Sequence, residues 1–281
     1  MNLEIPSIVQ VETSRACNAR CSFCARSTDK FTTLPRMSDT LFEKIVNECA
    51  GWGGEPGTKL DGFYPFLNNE PFLDPRIGRF SKMVNDRLPW AGLTFFTNGS
   101  CFTHEVIESI AGVRISQLAV SLHSTSEEQY QREVGLDFAS TLTSIKRIIS
   151  AITDGSVSVD SMWFVRVSDG DAERDEEFRS FCNSTFPGFK VVIGMRYNWK
   201  GDVASPWKAS KAFNTPCGRM NGLMILSSGV VALCCMDENG EYPLGDVNSQ
   251  SLLEIYNGPK RRCYTSKKRR DIQPCDMCNM N

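Results

Sequence analysis

The chain lacks an excess of charge of either sign: 31 Lys and Arg stand against 33 Asp and Glu, a net charge of −2. Without a global basic field, nothing at the level of the whole chain points to nucleic acid. Long apolar runs are also missing, and none approaches the ~18 uninterrupted apolar residues of a membrane span. The opening Met1-Asn2-Leu3-Glu4 has neither the basic nor the apolar stretch of a secretory signal. The expectation is therefore a cytoplasmic protein with no membrane and no nucleic-acid partner. Internal repeats and low-complexity tracts are absent, which sets aside solenoids and disordered tails. The basic run Lys267-Lys268-Arg269-Arg270 reads as a solvated face beside a metal site, with a phosphate or partner contact as the other reading. Composition is otherwise that of a folded globule, 41% hydrophobic and 23% charged, long enough for a barrel plus a small appendage.

Cysteine is what the chain has in quantity, twelve in all. In a long chain with no export signal, clustered cysteines point to metal or redox chemistry rather than to a disulfide framework. They are unevenly placed: three at 17, 21 and 24, six between 217 and 278. Cys49, Cys101 and Cys182 stand apart and read as packing residues.

Strand-like runs at 7–12, 62–67, 93–97, 117–122, 161–167 and 191–195 alternate with helical patterns. The helices fall at 39–49, 75–85, 104–111, 126–152 with a break near Gly135, and 171–184. Six alternating units imply parallel strands with right-handed crossovers, too few to close an eight-stranded barrel. The predicted fold is α/β, a partial (β/α)6 TIM barrel over 1–204, with its chemistry at the carboxyl ends of the strands. A linker at 200–215, rich in Gly, Pro, Ser and Lys, leads to a small auxiliary-cluster domain over 205–281. That domain is read as a hairpin (222–225 and 230–233), a turn at Asn239-Gly240 and a helix near 251–256.

After the first strand comes Cys17-Asn18-Ala19-Arg20-Cys21-Ser22-Phe23-Cys24. Three closely spaced cysteines on one loop can bind three corners of a [4Fe–4S] cube and leave the fourth iron open to another ligand. A zinc loop is the alternative reading of the spacing alone. With its aromatic before the last cysteine, the run resembles the CxxxCxΦC motif of the radical S-adenosylmethionine (SAM) superfamily. Further segments resemble that family. Asn68-Asn69-Glu70-Pro71 stands where it has Gly-Gly-Glu-Pro, and asparagine tolerates positive φ better than most residues. Thr97-Asn98-Gly99 matches its Thr-Asn-Gly turn, and Ser121-Leu122-His123 ends the fourth strand. The resemblance implies SAM as cofactor, with Phe23, Asn69, Glu70, Thr97, Asn98 and Ser121 around it. Glu70 then meets the SAM amino group, and Arg166 or Arg132 meets its carboxylate. His123 reads equally as a substrate contact or a structural histidine; His104 reads as a surface helix start.

Cys217 and Cys234 with the terminal Cys275-Asp276-Met277-Cys278 can close a second tetrahedral set, around zinc or a cluster by spacing alone. The radical SAM resemblance favours a second [4Fe–4S] cluster, and the segment is similar to the twitch and SPASM modules of that family. Cys263 is expected not to bind. Cys235, next to a ligand, is a candidate hydrogen donor to a substrate radical or a small buried residue.

Size and the single auxiliary module resemble aminoglycoside-pathway members of the family, an epimerase and an aminocyclitol dehydrogenase. A barrel that begins near the N-terminus leaves no room for a leader-peptide domain, which favours a small-molecule substrate over a peptide. Epimerisation through Cys235 is the leading expectation, dehydrogenation of a hydroxyl the next, and peptide modification the third. Glu70, Asp237, Glu238 and Glu241 are the acidic residues available to a cationic sugar. The resemblance also implies an electron donor such as flavodoxin or ferredoxin.

Overall fold

The computed structural model describes residues 3–53, 60–208, 217–268 and 271–280. Its strands are β1 (Ile8–Val11), β2 (Gly62–Tyr64), β3 (Gly92–Thr97), β4 (Arg114–Ile115), β5 (Gln117–Ser121), β6 (Ser158–Val159), β7 (Met162–Val167), β8 (Lys190–Gly194), β9 (Gly222–Ile225), β10 (Val230–Ala232) and β11 (Gly245–Asp246). Its helices are α1 (Asp39–Ala50), α2 (Ile77–Arg87), α3 (His104–Ser109), α4 (Glu127–Glu133), α5 (Phe138–Thr153), α6 (Ala172–Thr185), α7 (Leu252–Tyr256) and α8 (Pro259–Thr265). Local chemistry sets the boundaries. Ser38, Thr103, Ser126, Asp137 and Asp171 each accept a backbone N–H as helix N-caps, satisfying donors that the first turn leaves unpaired. The break between α4 and α5 falls at Gly135, whose φ of 75° favours glycine.

The six predicted barrel strands run in the order β1-β2-β3-β5-β7-β8, all parallel. Their lengths differ from the expected runs mainly at β2, which ends at Tyr64 because the following residues turn toward the site. One face of each strand packs on the helices, as in β7, where Met162, Phe164 and Arg166 are buried and Trp163, Val165 and Val167 are less so. The second set faces an open lumen.

The C-terminal segment is joined to this sheet. β9 pairs in parallel with β1, and β10 and β11 follow antiparallel, giving nine strands in one sheet among the described residues. Pairing with β9 satisfies the free edge of β1, whose unpaired backbone groups would otherwise be exposed. The division at 204 thus does not separate two sheets. The expected linker also begins as packed structure. Lys200 is buried at a φ of 61° and donates to Glu238 at 2.5 Å and to the Met236 carbonyl at 2.7 Å. Residues 209–216 of that stretch lie outside the described residues, as do Arg269 and Arg270 of the basic run; Lys267 and Lys268 are exposed. Among the described residues no helix is long and apolar enough to cross a membrane.

Candidate active site between two cysteine sets

A cavity of about 830 Å³ occupies the lumen. At the carboxyl ends of the strands it is lined by Cys17, Cys21, Cys24 and Phe23 of the loop after β1, by Asn68, Asn69 and Glu70 after β2, and by Thr97 and Asn98 after β3. Ser121 and His123 of β5 and its continuation complete that end. The structure therefore brings together every residue expected around the first cluster and SAM except the two candidate arginines, Arg166 and Arg132.

Hydrogen bonds tie these loops to one another. Glu70 accepts from Thr97 Oγ1 at 2.7 Å, from Asn98 N at 2.7 Å and from Phe72 N at 3.2 Å. Its backbone N–H bonds the Ala16 carbonyl at 2.9 Å, and Asn98 Nδ2 donates to Asn18 Oδ1 at 2.8 Å. Burial lifts the Glu70 carboxyl to about 7 despite the three hydrogen bonds that favour its charge. The loop after β1 is anchored by Arg15 and Arg26, whose guanidiniums lie 4.0 and 4.6 Å from the Phe31 ring centroid. Arg26 also donates to the carbonyls of Arg15 and Asn68.

Arg166 corrects the expectation for the SAM carboxylate. Strand alternation turns it to the helix side of β7. There it donates to Asp175 at 2.8 Å, to Asp169 at 3.0 Å and to the His123 carbonyl at 2.6 Å, and it does not line the cavity. Arg132 is exposed and pairs with Glu128. Arg166 instead supports His123, which holds a φ of 67°, uncommon for a residue with a Cβ. His123 Nδ1 accepts from Val167 N at 3.1 Å, so the ring proton resides on Nε2. Burial, with help from Arg166 and Arg196, drives its pKa to about 3, leaving a neutral N–H donor beside Phe23 at a ring-centroid distance of 4.6 Å. The asparagines of the Glu-Pro segment need no unusual backbone: neither Asn68 nor Asn69 has positive φ.

The donors here fit the implied cofactors. Burial raises all three thiols, Cys17 to about 11, and each senses a thiol neighbour or a nearby charge. A neighbouring positive charge, a metal's above all, would be needed to favour the thiolate of such a buried group. Among the described residues no three His, Cys, Asp or Glu converge closely enough for a single ion. A zinc ion would draw its sulfurs to ~2.3 Å of one point, whereas a four-iron cube spreads them over its corners. At the same end the buried Nδ2 atoms of Asn68 and Asn69 and the Nε atoms of Arg26 and Arg196 have no partner. Unpartnered buried donors suit the carboxylate and hydroxyls of a polar cofactor. Sequence reading overlooked Arg26, two residues after Cys24, which lines the cavity; Arg196 lies 5.5 Å from the Phe23 ring centroid without lining it.

The second set is also assembled. Cys217, Cys234, Cys275 and Cys278 line one hollow of about 30 Å³, with Lys200, Arg219, Met220, Leu233, Met236, Pro274 and Met280. Burial raises the Cys234 thiol well above its usual value. Arg219 lines both this hollow and the main cavity. Cys263 is exposed on α8 and takes no part. Cys235 lines neither space: it packs against Met224, Leu226 and Ala232 on one side and lies near Arg219, Cys217 and Cys278 on the other. Cys49, Cys101 and Cys182 are buried packing residues, as expected.

Comparison with known proteins gives the same two parts. The radical SAM superfamily profile matches residues 11–178, and that of the SPASM iron–sulfur cluster-binding domain matches residues 217–279. The S-adenosyl-L-methionine-dependent 2-deoxy-scyllo-inosamine dehydrogenase of Niallia circulans is 22% identical over 125 residues, 44% of this chain and 48% of that protein. The probable GTP 3',8-cyclase of Thermococcus kodakarensis is 29% identical over 129 residues, 46% of this chain and 39% of that one. Each match thus spans less than half the relative's length. Among solved structures, BtrN in complex with AdoMet and 2-DOIA superposes with a TM-score of 0.64 at 18% identity, over 99% of this chain and 95% of that one. Streptococcus suis SuiB bound to its precursor peptide SuiA gives 0.72 at 11% identity, over 98% and 70%. At such identities the likeness is one of fold.

Proposed function

The chain belongs to the radical SAM superfamily, and from that premise we propose that it is a radical SAM dehydrogenase oxidising a hydroxyl of a small molecule to a carbonyl. One observation carries the choice over epimerisation. The second cysteine set adjoins the cavity through Arg219, while Cys235, the candidate hydrogen donor, lines neither space. A donor must reach the reacting carbon, and geometry decides its candidacy before reactivity does. The likeness to the 2-deoxy-scyllo-inosamine dehydrogenase supports the same reading.

When bound, the first cluster together with SAM would supply one-electron reduction and hydrogen-atom abstraction, and the second would accept one electron. Cys17, Cys21 and Cys24 would hold the first; Cys217, Cys234, Cys275 and Cys278 the second. Glu70 accepts the SAM ammonium, its carboxylate oriented by Thr97 and Asn98. Arg26 and the Asn68 and Asn69 amides, which line the cavity with unpartnered buried donors, would offer hydrogen bonds to the SAM carboxylate and ribose. His123 presents its N–H to the cavity in a fixed tautomer, and the aromatic walls exclude water and competing hydrogen donors. The substrate loses one hydrogen atom from carbon, then one electron and the hydroxyl proton. An external one-electron donor such as flavodoxin or ferredoxin is the partner required.

Anaerobically reconstituted enzyme with reductant, SAM and substrate should release 5'-deoxyadenosine and a product lighter by two hydrogens. A product of unchanged mass carrying solvent deuterium at one carbon would replace this reading with epimerisation.

A further inference from the structure

The lumen of a closed barrel is filled by side chains, yet here it is open along the strands and walled by aromatic rings. Tyr64 and Phe66 lie parallel with centroids 6.1 Å apart. Phe96, 39% exposed, follows at 5.7 Å, and Trp163 meets it edge-on at 6.2 Å. Phe66, Phe96 and Trp163 all line the cavity.

The charges around this wall are unbalanced. Glu70 is the one carboxylate lining the cavity among the described residues; Thr97, Asn98 and Phe72 orient it, and the proposed function assigns it to the SAM ammonium. The other acids expected to meet a cationic sugar are used elsewhere. Asp237 accepts the backbone N–H groups of Leu233, Glu241 and Tyr242, Glu238 pairs with Lys200, and Glu241 does not line the cavity. Three cations line it: Arg26, which donates to the Arg15 and Asn68 carbonyls, and Lys190 and Arg219, none of them in an ion pair among the described residues. Lys190 is the cross-strand partner of Trp163, and both line the cavity, which places their Cβ atoms ~5 Å apart on one face. Gln117 and Ser161, at the amino ends of β5 and β7, complete a polar floor there.

We propose that this lumen binds a largely apolar aromatic compound bearing a carboxylate and a hydroxylated carbon, its rings against Phe96 and Trp163 and its anion at Lys190, with the hydroxylated carbon toward the cysteine loop. The proposal rests on the radical SAM reading and names the substrate class for the same cavity. Length supports it. From Lys190 to Gly194 the strand rises four residues, ~13 Å, more than a single six-membered ring spans. Aromatic walls can also hold an ammonium through cation–π contact, but Lys190 beside Trp163 and Arg219 beyond it repel a cation from this wall.

The test is anaerobic calorimetric binding to the SAM-loaded holoenzyme, which needs no turnover. The probes are biphenyl carboxylate, its neutral amide, the matching biphenylmethylammonium and 2-deoxy-scyllo-inosamine. The carboxylate should bind about tenfold more tightly than the amide, and the ammonium more weakly than either. Lys190→Glu, at an exposed position, should reverse the order of carboxylate and ammonium, and Trp163→Ala should weaken all three biphenyl probes alike. Circular dichroism checks that both variants fold. Tighter binding of 2-deoxy-scyllo-inosamine than of the carboxylate, an unchanged order in Lys190→Glu, or no measurable carboxylate binding would each overturn the proposal. An enzyme that prefers the aminocyclitol and still makes a carbonyl product would sink this inference and leave the dehydrogenase reading intact.

Discussion

Glu70 is the residue whose chemistry depends most on its surroundings. Its pKa is raised from 4.5 to about 7 by burial, so between those values the folded apo chain holds a proton that the unfolded chain has released. The stability this group contributes to the apo form is therefore fully present at low pH and is lost as pH rises through that window. A SAM ammonium beside it favours the carboxylate, so binding below about 7 must expel the proton. SAM affinity should rise with pH by up to ~10-fold per unit below that point and fall again as the SAM amino group loses its own proton at pH ~8. Calorimetry at several pH values checks this, and Glu70→Gln should bind SAM weakly with no such slope. Cys235 gives a second prediction at this scale. Because it lines neither the cavity nor the ligand hollow, Cys235→Ala should keep both clusters and yield the lighter product at the wild-type rate. Loss of product with SAM cleavage retained would restore it as a hydrogen donor.

At the scale of elements, each cluster depends on one loop system. Changing Cys17, Cys21 and Cys24 together to Ala should remove about four of about eight irons per chain and leave a spectroscopically visible cubane on the C-terminal set. Complete iron loss, or zinc in place of the residual iron, would count against independent clusters. The turn after β3 is equally specific. Gly99 sits at a φ of 79°, and a Cβ there would stand 2.8 Å from Ile145 Cγ1 and 3.0 Å from Val120 Cγ1. Gly99→Ala should cost ~1–3 kcal/mol in stability and also weaken SAM binding, because Asn98 N would shift from Glu70. Thermal unfolding with SAM titration measures both.

The whole molecule is joined across its two parts by backbone pairing and by buried charge. β9 extends the sheet at β1, Ser227 N bonds Glu12, and Arg15 donates to the Glu238 carbonyl. Lys200 and Glu238 form a pair buried to 5% and 1% side-chain exposure. Removing one member leaves the other charge without compensation, so Lys200→Met should destabilise by ~3–5 kcal/mol. Lys200→Met with Glu238→Leu should recover much of that loss. Equal destabilisation in the single and double variants would mean that packing, and not the charge, is what matters there.

The sequence by itself determined the kind of chemistry and most of the barrel. The CxxxCxxC loop, the terminal CxxC and the Glu70 and Thr97-Asn98 segments are local signals, because ligand spacing on one loop is fixed by the chain. Six strand–helix alternations were legible for the same reason, since periodicity is a local property. What only the tertiary structure decided depends on which side of a strand a residue faces and what lies across from it. Arg166 was a plausible cofactor contact until the alternation along β7 turned it toward Asp169 and Asp175. Cys235 differs from Cys234 by one position, and that step takes its side chain out of the lining of the ligand hollow and against Met224, Leu226 and Ala232. The pairing of β9 with β1, the burial of Lys200 in an expected linker and the meeting of Lys190 with Trp163 are contacts between segments distant along the chain or on different strands. No local pattern encodes them, because they follow from how the whole sheet closes.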